Sequence, residues 1–116
     1  MAGSLPFEIT LLTDLTTLIA EQNRIIGSIP ESWYALSTLE TLRLASNQLT
    51  GTFPEHLFEN NINLDTIRLG DNKFTGTIPS SLATLPLEDL KLNDNQFKGT
   101  IPSEFSSLTN LCKSFG

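Results

Sequence analysis

The chain has 116 residues and a formal net charge of -6, from thirteen acidic and seven basic side chains; nucleic-acid binding is disfavoured, since neutralising phosphates needs a basic stripe. Hydrophobic residues at 39% and charged ones at 17% describe a folded domain and not a disordered tail. Apolar runs last only a few residues, so no span of a bilayer and no membrane contact by this segment is expected, and the acidic balance disfavours an anionic lipid surface.

The first residues, Met1 to Glu8, hold no basic region and no apolar block before the first acid, so they do not read as a secretory signal. Either a cytosolic protein or a natural start further upstream follows from that. A repeated element begins at once. Gly3-Ser4-Leu5-Pro6 returns as Gly27-Ser28-Ile29-Pro30, Gly51-Thr52-Phe53-Pro54, Gly76-Thr77-Ile78-Pro79 and Gly99-Thr100-Ile101-Pro102, in steps of 24, 24, 25 and 23 residues. An asparagine stands four residues before each of the last four glycines, at Asn23, Asn47, Asn72 and Asn95, with an apolar residue between at Ile25, Leu49, Phe74 and Phe97. Repetition at this period marks a solenoid.

Each proline is expected at the first position of a helical turn, because its missing N–H would be unpaired there anyway. Ile9, Trp33, Leu57, Leu82 and Phe105 lie three residues beyond the prolines, and Leu12, Leu36, Leu85 and Leu108 follow at an inward-pointing spacing. The third repeat has Asn60 at that place, with Ile62 expected to substitute, and carries the extra residue; the next is shortened at Pro86. Then come the strands. Leu15, Leu18 and Ala20, then Leu39, Leu42 and Leu44, then Leu64, Ile67 and Leu69, then Leu87, Leu90 and Leu92 end in the alternation of a half-buried strand. Strands repeating in one sense through crossovers must pair in parallel.

The asparagines close each strand. A neutral amide donates twice and accepts twice, so Asn23, Asn47, Asn72 and Asn95 are expected to form a structural ladder that satisfies backbone groups inside the turn.

The frame Leu-x-x-Leu-x-Leu-x-x-Asn-x-Leu-x-Gly-x-Ile-Pro resembles the plant-type leucine-rich repeat, and Leu39 to Pro54 matches it almost letter for letter. The resemblance implies an α/β fold: a right-handed horseshoe solenoid with a parallel sheet on its concave face and short 3-10 or α turns on its convex face. Residues 1–116 are then one array of about four full repeats of 23–25 residues with partial repeats at both ends. Members of that family usually carry cysteine-paired caps, whereas the single Cys112 has no internal partner. The last repeat also fails at Ser114, where Leu111 should be followed by a buried leucine. The array therefore reads as a segment of a longer protein, marginal or self-associating when isolated, since solenoids need covered ends.

The strand frame places a row of side chains on the concave face. Thr41, Arg43, Thr66, Arg68, Asp89, Lys91 and Asn93 are the candidate ligand-binding residues, with Thr17, Ile19, Glu21, Ala45 and Gly70 in the same columns. The column Ile19, Arg43, Arg68, Lys91 puts three cations together in an acidic chain. It reads either as a carboxylate-recognition stripe or as a solvated face balanced by Glu40, Asp65, Glu88 and Asp89. Asp71, Asp94 and Glu21 form a weaker anionic patch. A further column, Ser28, Thr52, Thr77 and Thr100, with Thr50 and Thr75 beside it, resembles the ladders of ice-binding solenoids.

Catalytic parts are missing. His56 is the only histidine and has no triad partner at a recognised spacing; no phosphate loop and no metal-ligand spacing occurs, and Asn93-Asp94-Asn95 lacks the acids of a calcium loop. No enzyme activity, metal or cofactor is expected. The family resemblance implies recognition of a protein or peptide, in the extracellular part of a receptor-like protein at the cell surface. Its alternatives are a secreted inhibitor of cell-wall-degrading enzymes and a purely structural repeat. No Asn-x-Ser/Thr glycosylation sequon accompanies that setting.

Overall fold

The computed structural model of the chain describes residues 2–5, 7–12, 14–53, 61–99, 103 and 112–114. Leu57, Phe105 and Leu108, together with Asn60, His56, Thr100 and Leu111, lie outside these residues. Two parallel sheets form. The larger has five strands in the order β2 (Thr17–Ile19), β4 (Thr41–Arg43), β6 (Thr66–Arg68), β7 (Asp89–Lys91) and β8 (Cys112–Ser114). A second sheet, which the alternation did not anticipate, runs β1 (Ala2–Ser4), β3 (Arg24–Gly27), β5 (Gln48–Leu49). Neighbouring strands of each sheet belong to successive coils, the right-handed solenoid of the leucine-rich repeat.

The buried face of the large sheet is the leucine frame. Leu18, Leu42, Ile67 and Leu90 are register partners, and Leu39, Leu42, Leu44, Leu64, Ile67, Leu69, Leu90 and Leu92 are fully buried. Each such side chain contributes about 1.5–3 kcal/mol by leaving water. The first coil departs from this. Leu15, Leu18 and Ala20 are only partly covered, and Leu12 is 55% exposed where Leu36 is fully buried and Leu85 5% exposed.

Between the sheets run 3-10 turns, Phe7–Leu11, Glu31–Ala35 and Ser80–Thr84. The three-residue spacing selects them: Leu36 N–H donates to Trp33 O at 2.9 Å and Leu85 N–H to Leu82 O at 3.2 Å, the bond of a 3-10 helix. Pro30 and Pro79 stand one place earlier than expected, as extended residues preceding the turn. Trp33 and Leu82 are fully buried beneath it.

Two expectations at irregular repeats need correction. Ile62 does not replace the missing leucine: it is 71% exposed, and Asn61 is the residue fully buried there, accepting a hydrogen bond from Leu39 N–H at 3.3 Å. The extra residue of that repeat shifts the inward position, and an amide fills it. At the other end Lys113, not Ser114, is the register partner of Leu90, so the strand position that lacks its leucine is one residue earlier than the spacing from Leu111 suggests.

Candidate functional site

Register fixes the concave columns. Thr17, Thr41, Thr66 and Asp89 are successive partners, and so are Ile19, Arg43, Arg68 and Lys91. Alternation turns these residues away from the buried leucines, and neighbouring strands lie about 4.8 Å apart. Thr41, Arg43, Thr66, Arg68, Asp89, Lys91 and Asn93 are all half-buried, and Ile19 is 51% exposed. The candidate residues therefore share one surface. Gly70, placed on the same face, is buried, because the Asn93 side chain folds over it: a Cβ there would stand 2.8 Å from Asn93 Oδ1.

The cations of this surface are not bare. Arg43 Nη2 donates to Glu21 Oε1, one coil upstream. Arg68 donates from Nε and Nη2 to Asp89 Oδ2, at 3.0 and 2.5 Å, one coil downstream. The two adjacent arginines thus lean to opposite ends of the array, which relieves like-charge contact across the sheet. In each pair the cation is the outer partner: the side chains are 33% exposed for Arg43 against 20% for Glu21, and 31% for Arg68 against 18% for Asp89. Lys91 makes no ion pair among the described residues. Glu40, Asp65 and Glu88 stand at the entry to the strands, where their main chains pair from coil to coil, and the Asp65 carboxylate accepts from Thr66 Oγ1 at 2.9 Å.

Asn47, Asn72 and Asn95 use their amides alike. Asn72 Nδ2 donates to the carbonyls of Leu44, Leu69 and Gly70 at 3.0, 3.2 and 3.1 Å, and Oδ1 accepts from Leu49 N–H at 3.0 Å. Asn47 repeats this with Ala20, Leu44, Ala45 and Ile25, and Asn95 with Leu69, Leu92, Asn93 and Phe74. Asn23, in the partly covered first coil, donates to Glu21 O. The residue before each of these four asparagines has positive φ: Gln22, Ser46, Asp71 and Asp94, at 54–60°. That accounts for Asp71 and Asp94, since short polar side chains tolerate the left-handed turn.

The Ser/Thr column differs from its expected form. Thr52 bridges Thr75, not Thr77, while Gly51 faces Ser28 and Gly76 faces Thr52. The second sheet pairs about two residues out of step with the repeat, as Ile26 with Gln48 also records. Ser28, Thr50, Thr52 and Thr77 are exposed and Thr75 half-buried. Among the described residues no group of His, Cys, Asp or Glu could hold a metal, and no helix is long and apolar enough to cross a membrane.

The Leucine Rich Repeat family profile matches residues 38–60, 63–85 and 86–108, more than half of the chain. A comparison with curated proteins finds no significant match. Solved structures do resemble it. The plant peptide hormone receptor RGFR1 in complex with RGF2 superposes with a TM-score of 0.86 at 35% identity, over 95% of this chain and 18% of that one. The BIR3–SERK2 complex from Arabidopsis thaliana gives 0.85 at 38% identity, over 91% and 57%. A plant ice-binding protein gives 0.85 at 37%, over 90% and 34%. The chain thus spans less than two thirds of each of these relatives. By frame, by fold and by these likenesses, the chain belongs to the leucine-rich-repeat family, in its plant-type form.

Proposed function

We propose that this chain is a recognition segment that binds a protein or peptide ligand on its concave sheet, as part of a receptor-like protein at the cell surface. The observation that carries the reading is the run of half-buried polar and cationic side chains, Thr41, Arg43, Thr66, Arg68, Asp89 and Lys91, held in register on a rigid sheet. A fixed sheet over a fully buried core orders its side chains before a ligand arrives, which lowers the entropic cost of binding. The likeness to the plant peptide hormone receptor RGFR1 solved with RGF2, and to the Arabidopsis receptor kinase HAESA solved with the peptide hormone IDA and the co-receptor SERK1, supports this reading. A recognition role needs no catalytic group.

Panning a random-peptide display library against the chain tests it. Peptides are expected whose binding falls at least tenfold when Thr41, Thr66 and Lys91 are replaced by alanine. Retained peptides indifferent to every concave residue would move recognition to another surface.

A second reading, ice binding, is favoured by one observation: Thr52 and Thr75 lie side by side in an isolated parallel bridge, and Ser28, Thr50 and Thr77 of the same Ser/Thr columns are exposed, while a plant ice-binding protein shares the fold. The two-residue stagger breaks the straight column that a flat lattice match favours. Inhibition of ice recrystallisation by the chain, lost in Thr52→Val and Thr75→Val, would favour this reading over the first.

A further inference from the structure

We propose that the concave ligand is an acidic peptide, and that Glu21 and Asp89 act as internal stand-ins for its carboxylates, holding Arg43 and Arg68 until a ligand acid displaces them. This rests on the recognition reading above and adds to it the class of partner and the means of exchange.

Three observations point the same way. Arg43 and Arg68 are the more exposed members of their ion pairs, so an approaching ligand meets guanidinium first and carboxylate second. The pairs are also incomplete. Arg68 places two N–H groups on a single oxygen of Asp89, leaving Oδ1 enclosed without a partner, and Arg43 Nε is likewise enclosed and unpartnered. Neither pair is the two-oxygen fork that an arginine and a freely oriented carboxylate form. Finally, Lys91 continues the arginine column without an ion pair among the described residues. In a chain of net charge -6, this cationic outer layer stands against the general field.

Exchange is energetically accessible because partly exposed ion pairs contribute little. A ligand carboxylate that takes both oxygens into a fork replaces a poorer internal pair, and Glu21 or Asp89, only 20% and 18% exposed, must swing outward to reach water, a cost that the fork has to offset. The internal acids then set a threshold: a neutral peptide gains nothing by displacing them, and a basic one meets the arginines. Specificity comes from the repulsive element as well as the attractive one.

The experiment pans a random-peptide display library against the whole chain and against its Glu21→Gln/Asp89→Asn variant, with circular dichroism and melting curves to establish that both are folded. Peptides rich in Asp and Glu are expected, binding the double variant roughly tenfold tighter than the parent. Arg43→Gln/Arg68→Gln should abolish that binding, and a single change, Glu21→Gln, should give about a threefold gain. Peptides that bind the concave face without acidic enrichment, and with no gain on the double variant, would overturn the exchange while leaving recognition intact. A library that yields no peptide sensitive to any concave residue would overturn both.

Discussion

The side-chain amide of Asn72 donates to the carbonyl oxygen of Leu44 at 3.0 Å, across the boundary between two coils. The same nitrogen also holds Leu69 and Gly70 of its own coil, and Oδ1 holds Leu49 N–H of the previous one. One buried side chain therefore ties two coils at four backbone groups, of which three are shared: Leu44 O also accepts from Asn47, Leu69 O from Asn95 and Gly70 O from Ser46 N–H, while Leu49 N–H has Asn72 alone among the described residues. Leaving such groups without partners costs about 1–3 kcal/mol each.

Asn72→Ala is accordingly expected to lower stability by about 1–3 kcal/mol, chiefly through the orphaned Leu49 N–H. Asn95→Ala removes a similar set of bonds, but Asn95 is only half-buried and water can take over part of its role, so its loss should be smaller. Asn72→Asp should lose at least as much at neutral pH: an ionised carboxylate still accepts from Leu49 N–H but cannot donate, and its charge faces the carbonyl oxygens of Leu44, Leu69 and Gly70. Urea unfolding of the three variants measures this; alanine variants at positions 72 and 95 as stable as the parent would refute the ladder as the seat of coil-to-coil cohesion.

What the sequence made legible was the part under strict repetition. Leu39, Leu42 and Leu44 and their counterparts carry one pattern because every coil repeats one buried environment, and Asn47 and Asn72 do so because every strand must turn. The second sheet was hidden. Its strands bury single residues, Ile25 and Leu49, too few to establish an alternation, and the stagger of Thr52 against Thr75 depends on backbone path alone. Asn61 was hidden for another reason: an amide in an apolar column looks like a defect until its acceptor bond with Leu39 N–H is seen. For the candidate site, column membership followed from spacing, whereas the direction in which Arg43 and Arg68 lean did not. That direction depends on which coil offers a carboxylate, and Glu21 and Asp89 lie on opposite sides.

Backbone hand predicts two substitutions of opposite sign. Gln22 sits at φ 57° and is exposed, where a side chain costs about 1–2 kcal/mol and glycine is free of that penalty. Gln22→Gly should stabilise the chain by roughly 0.5 kcal/mol after the extra chain entropy of glycine is counted. Gly51 sits at φ 90°, and a Cβ there would meet Ser28 Cβ at 3.1 Å. Gly51→Ala should therefore destabilise by about 2 kcal/mol. Thermal melts that rank the two variants in the reverse order would contradict the left-handed turns.

The partly covered first coil supplies the last prediction. Leu11 and Leu12 are 76% and 55% exposed, and with Asp14 and Leu15 they line an open hollow of about 400 Å³. Beside it β2 is an edge strand of the large sheet, with no strand paired on its outer side among the described residues, and Leu18 is only partly covered. An apolar rim next to an open parallel edge is a template for further pairing. The 116-residue chain should associate in sedimentation as concentration rises, and Leu11→Gln with Leu12→Gln should shift it toward monomer. These two side chains are already wet, so the substitutions should leave the melting temperature within a few degrees. A parent chain that sediments as a clean monomer with a cooperative melt would mean that the first coil covers its own face well enough in solution, and the association would have to be given up.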